Sequence, residues 1–224
     1  MPAFDLSLEC ASIVIVTTTA VTWSLLTLAM RYFIRLKING PLGCDDYACS
    51  VATVFAVAHS IVTLCEIAFG FGNRKTDGSS LFSEQVGPYV TNMLYTIAIT
   101  FSSLSISYLI ARVVSKVRHK KVLAYLIIGA TACWGLAGVI TWAFQCRLPH
   151  PWNIDRPRHC ISLVGAWIGL SVGHAALELA NVVLAIAVVW KLQMPVKDKS
   201  MIVVAFATRL LILPPTFMRL SALR

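Results

Sequence analysis

The sequence predicts an all-α fold, a polytopic transmembrane helical bundle with six spans in a single domain over residues 1–224. Three observations predict it. Hydrophobic residues make up 58% of the chain and charged residues 13%, whereas a soluble domain carries about 25% charged residues. Six apolar runs, at 11–30, 48–69, 89–110, 122–144, 161–190 and 201–220, have the length of about 20 residues that crosses a bilayer as helix. These runs have neither the polar face of a soluble amphipathic helix nor the alternation of a membrane barrel. Helices that satisfy their own backbone groups are what remains in lipid.

The first ten residues, "MPAFDLSLEC", carry Asp5 and Glu9 and no cation. A signal peptide starts basic, so the run 11–30 is expected to stay as an anchor. The stretch "RYFIRLKINGPLGCDDY" at 31–47 then interrupts the apolar sequence. Arg31 and Arg35 lie one helical turn apart, Gly40, Pro41 and Gly43 reverse the chain, and Asp45 and Asp46 precede the second run. Carboxylates there favour the positive end of a helix and serve as caps. The segment therefore reads as a charge-tethered turn, or as a docking or gating element whose aspartates pair with Arg31 or Arg35.

Orientation follows from the cations. Eleven Lys and Arg residues fall in the first, third and fifth connections (Arg31, Arg35, Lys37; Arg112, Lys116, Arg118, Lys120, Lys121; Lys191, Lys197, Lys199). Five fall on the other side, at Arg74, Lys75, Arg147, Arg156 and Arg158. The positive-inside rule puts the N-terminus outside or lumenal and the basic loops in the cytosol. Much of the net charge of +9 sits there, beside anionic lipid. The bilayer is thus the expected partner, and nucleic acid is not, since no motif for it is present.

Ionisable and polar groups within the spans are costly in hydrocarbon and mark function or helix joining. The second run places His59 and Glu66 on one face, with Thr63 between them. The fifth carries Ser171, His174, Glu178 and Asn181 as one stripe, and the third carries Thr96, Thr100, Ser103 and Ser107. The sixth has Arg209 ahead of Pro214 and Pro215. One reading is interhelical bonding, with Glu66 or Glu178 paired to Arg209. The other is a small-molecule pocket lined by His174, Glu178, Asn181, His59, Glu66, Arg209 and Ser103. No metal site is expected, because His174 and Glu178 lack a third ligand.

Several ordered motifs resemble those of the fungal rhodopsin-like integral membrane proteins, a family often encoded beside secondary-metabolite genes. "RYFIR…G…DDY" is similar to the family's first cytosolic turn, and "FSSLSISYLIAR" at 101–112 to its third-helix motif. "CRLPHPWNIDRPRHC" at 146–160 resembles its outer loop, "WKLQMPVKDK" at 190–199 the end of its fifth helix, and "RLLILPPTFMRL" at 209–220 its sixth helix. Ser103, Ala185 and Glu178 stand where the family often has lysine, proline and aspartate. The resemblance implies seven spans, so this chain reads as a shortened member or an incomplete gene product. No lysine lies inside any of the six runs, so no Schiff base to retinal is expected and no cofactor is implied.

Of the seven cysteines, Cys146 and Cys160 share the outer loop, 14 positions apart. They are expected to form a disulfide in an oxidising compartment, with Cys10 as a competitor; closing such a loop contributes about 3 kcal/mol on the chain-entropy account. Trp152, flanked by prolines, reads as an interfacial anchor or a lid.

Three functions fit. The first is a receptor-like or accessory membrane protein with a small apolar ligand between its helices. The second is an intramembrane cyclase or isomerase of natural-product biosynthesis, with Glu66 or Glu178 as a buried acid or base. A transporter comes third, lacking paired broken helices or an inverted repeat.

The charge count makes a direct prediction: tags at Met1 and after Arg224 report the outer side, and a tag between Lys116 and Lys121 reports cytosol. Protease protection of the Met1 tag by a sealed cytosolic face would reverse the assigned orientation.

Overall fold

In a computed structural model of the chain, the described residues are 2–39, 43–68, 86–113, 118–146 and 162–191. They form α1 (Pro2–Ile34), a π-helical turn (Arg35–Asn39), α2 (Cys44–Ala68), α3 (Gly87–Val113), α4 (Arg118–Ala143) and α5 (Leu163–Lys191). Five of these segments are long and apolar enough to cross a membrane: Ala11–Lys37, Cys44–Ala68, Gly87–Arg112, Lys121–Ala143 and Val164–Ala187. At 1.5 Å per residue the shortest, of 23 residues, reaches about 35 Å against a hydrocarbon core of about 30 Å. Five of the six expected spans are thus helical. The sixth, 201–220 with Arg209, lies outside the described residues, as do Cys160 and most of the outer loop.

The helix ends follow local chemistry more than hydropathy. α1 continues past residue 30 because Arg, Tyr, Phe and Ile all tolerate a helix; the first strong breaker in the sequence is the Gly40-Pro41 pair. α2 begins with a half capping box. Gly43 N–H donates to Asp46 Oδ2 at 3.0 Å while Asp46 N–H donates to Gly43 O at 3.0 Å. Two carboxylates also stand in the first turn, where the helix dipole favours them.

Burial identifies the solvent. Among the described residues, thirteen buried apolar residues are accompanied by eleven buried polar or charged ones, including Asp45, Asp46, Glu66, Ser103, Glu178 and Asn181. Meanwhile Trp23, Leu26, Leu36, Val54, Leu126, Leu136 and Val183 point outward. Such an arrangement is unfavourable in water and natural in lipid. α4 shows the inward stripe clearly: residues 124, 127, 128, 131, 135, 138 and 142 are buried, at helical spacing. In α1, none of the side chains described from Ala11 to Lys37 is buried.

The chain divides into two compact units. Met1–Ser105 with Ala137–Cys160 contains α1, α2, most of α3 and the end of α4. Within it α1 packs along α2, and α2 runs antiparallel to α3, with contacts at Asp45–Ser105, Phe55–Phe101, His59–Tyr95 and Glu66–Thr91. Phe55 and Phe101 stack offset, with centroids 6.4 Å apart. Ile106–Leu136 with Ile161–Arg224 holds the end of α3, most of α4, and α5. There the Trp134 indole lies across Gly173, and its Nε1–H donates to Leu170 O at 3.4 Å.

That close approach separates the glycines. A Cβ on Gly173 would collide with the Trp134 ring, whereas Gly129 in α4 and Gly169 in α5 have open space around theirs. Gly129→Ala and Gly169→Ala should each raise stability by about 0.5–1 kcal/mol through reduced chain entropy. Gly173→Ala should lower it, because the 38%-exposed indole swings away and loses its hydrogen bond. Unfolding monitored by tryptophan fluorescence in detergent tests the opposite signs.

Candidate functional site

Among the described residues, three clusters of polar side chains stand out. The first lies where α1 meets α2. Arg31 Nη2 donates to Asp45 Oδ2 at 2.9 Å and Arg31 Nε to Asp46 Oδ1 at 2.8 Å. Arg35 pairs with the same two carboxylates, through Nη2 to Asp45 Oδ2 and through Nε to Asp46 Oδ2 at 3.1 Å. Both aspartates are 2% exposed, a burial tolerable only because each has two guanidinium partners and the set is neutral. The spacing of Arg31 and Arg35 makes this geometry: four residues in a helix stack both forks on one face.

One further helix and a second α1–α2 bond close around the cluster. Ser105 of α3 accepts from Arg31 Nη1 at 3.2 Å and donates to Asp45 O at 2.8 Å. Tyr32 shares a hydrogen bond of 2.7 Å with Ser50, whose hydroxyl also reaches Asp46 O. Asp45 and Asp46 thus pair with both Arg31 and Arg35, the contact raised for the docking or gating reading of this turn. Ser105 and Tyr32 were not expected; Ser105 is two positions from Ser103 and Ser107, about 200° around the helix, and falls outside their stripe.

The second cluster joins α2 to α3 farther along the same unit. Thr91 donates to Glu66 Oε1 at 2.6 Å, and the His59 ring tilts against Tyr95 with centroids 5.8 Å apart. Thr63 lies one turn from His59 and donates to its backbone O at 3.0 Å. On α3, Thr96, Thr100 and Ser103 donate to carbonyls one turn back, at Asn92, Thr96 and Ile99, the usual way a hydroxyl is satisfied inside a membrane helix. Thr91 and Tyr95 gave no distinct signal in sequence, being a common hydroxyl and an aromatic in an apolar run.

The third cluster belongs to the other unit. His174 Nε2 stands 3.7 Å from Glu178 Oε1, within ion-pair reach and beyond hydrogen-bond length. One turn on, Asn181 is 1% exposed and its Oδ1 accepts from Ser107 at 2.9 Å. Its Nδ2 is buried with no hydrogen-bond partner among the described residues. An unmade bond of that kind costs about 1–3 kcal/mol. His174, Glu178 and Asn181 thus share one face of α5, as the spacing predicts. Arg209, the expected partner of a glutamate, lies outside the described residues. No group of three or more metal-ligating side chains occurs among the described residues.

The profile of the fungal rhodopsin domain matches residues 30–224, beginning one residue before Arg31 and running through the whole charged turn. The chain belongs to the fungal rhodopsin-domain family. Its five long apolar helices agree with a multi-pass membrane member of that family. No curated protein and no solved structure gives a significant match.

The charged cluster generates a ranked expectation for this fungal rhodopsin-domain protein. Asp46→Leu strands two guanidiniums and the Gly43 N–H, and should cost about 3–5 kcal/mol. Arg31→Met leaves Arg35 in contact with both carboxylates and should cost clearly less. Denaturation in mixed micelles measures both; equal losses would contradict the sharing of each carboxylate between two arginines.

Proposed function

We propose that this family member is a receptor-like protein, or an accessory to a secondary-metabolite pathway, that binds a small apolar ligand between its helices at the α5 cluster. The observation that carries the reading is the face shared by half-buried His174 and buried Glu178 and Asn181, in a span whose outward side chains include Val172, Leu179, Val183 and Ile186. Polar groups are retained in hydrocarbon when they meet one another, water or a ligand. Three of them on one face, one with a donor unused among the described residues, support a ligand there. In this reading the α2–α3 contacts of His59 and Glu66 hold the scaffold, Ser103 is satisfied within α3, and the charged turn fixes the cytosolic end.

The same proposal includes six spans, an outer N-terminus, cytosolic basic loops, and a Cys146–Cys160 bridge closing the outer loop. What supports the bridge is that Cys146 does not stand among the free cysteines of the described residues, which are Cys44, Cys49, Cys65 and Cys133.

A second reading has one observation of its own. Glu178 beside His174 is a carboxyl–imidazole pair in a dry setting, the equipment of an intramembrane cyclase or isomerase that moves protons. Glu178→Gln separates the two, since glutamine keeps the shape and loses the proton. A deletion strain complemented with this variant should behave as wild type if the protein is a neutral-ligand receptor. Build-up of a single precursor, matching the deletion itself and converted by purified wild-type protein, would establish the enzyme instead. Melting in detergent, run on Glu178→Gln beside Glu178→Leu, shows whether the side chain also joins helices.

A further inference from the structure

The α5 face has a directional feature that narrows the ligand. The Ser107 hydroxyl donates to Asn181 Oδ1 at 2.9 Å. With its oxygen engaged, the side chain presents its nitrogen, and that Nδ2 has no partner among the described residues although Asn181 is 1% exposed. An amide nitrogen offers two N–H donors and no acceptor. Its complement is therefore an oxygen with lone pairs.

Charge narrows the choice further. Glu178 lies three positions before Asn181 on the same face, with His174 one turn beyond. A carboxylate or phosphate brought to Asn181 would stand beside the Glu178 carboxyl and would have to leave water for a helix surrounded by apolar side chains. A neutral carbonyl meets neither penalty. It also dissolves in the bilayer from which a ligand reaches such a face.

Resting on the ligand-binding reading above, we propose that the Asn181 amide, oriented by Ser107, is the specificity-determining donor for a neutral apolar ligand bearing a carbonyl oxygen: a ketone, ester or lactone. The hydrogen bond supplies selection among lipid-soluble molecules, since a site built around a buried donor rejects an isostere that cannot accept from it.

The test uses the full chain in nanodiscs, with empty nanodiscs as the partition control, and two probes of matched shape. These are 2-adamantanone, which has the oxygen, and 2-methyleneadamantane, which has a methylene in its place. The wild type should bind the ketone about tenfold more tightly, the scale of one net hydrogen bond. It should also show a saturable carbonyl infrared band at lower frequency than in lipid. Asn181→Leu should abolish the preference and the shifted band. Ser107→Ala, which leaves the amide in place and frees its orientation, should weaken both, and it keeps the test decisive if the leucine variant does not fold.

Equal binding of both probes, unaffected by either variant, overturns the carbonyl assignment and leaves the ligand reading standing, with Nδ2 spent on a buried water. A preference that survives Asn181→Leu places the acceptor elsewhere and also overturns the assignment. Binding of neither probe removes the ligand reading and this inference together.

Discussion

Charge in or near hydrocarbon has to be neutralised where it stands, and the turn between α1 and α2 does so with two carboxylates and two guanidiniums in mutual contact. Much of the described architecture leans on that contact. None of the α1 side chains described from Ala11 to Lys37 is buried, so the apolar length of the helix gives it little reason to prefer one place over another in lipid. Its basic end supplies the reason. The same carboxylates cap α2 through Gly43 and draw in Ser105 of α3, so three helices take their register from one point.

From that point the α2–α3 pair is read off like a ruler. Asp45 meets Ser105, Phe55 meets Phe101, His59 meets Tyr95 and Glu66 meets Thr91. Lipid offers no hydrophobic incentive for two apolar helices to associate, and specific polar bonds with close packing have to choose the register. The polar contacts near the two ends, with aromatic contacts between, exclude a slide by one turn, which would separate every pair at once.

The spans were legible because a bilayer-length run of apolar residues leaves the backbone one solution, and the runs at 48–69 and 89–110 differ from α2 and α3 by a few residues. The ends were less legible. Hydropathy falls at Arg31, yet the helix goes on to Lys37, since helical geometry ends where Gly and Pro interrupt it and not where charge begins. For the site, spacing alone revealed the face shared by His174, Glu178 and Asn181 and the stacking of Arg31 on Arg35. It could not reveal Ser105, Thr91 or Tyr95. Their importance comes from what a neighbouring helix presents to them, and the sequence of one helix does not encode that.

The charged cluster also bears on how the protein is made. Its four ion pairs join residues only 10 to 15 positions apart, while the Ser105 bonds span 60 and 74. During synthesis, then, α1 and α2 can clasp as a hairpin before any residue of α3 has left the ribosome. The arginines that end the first helix wait unpaired for barely a dozen residues of chain growth, and every later helix arrives at a corner already set.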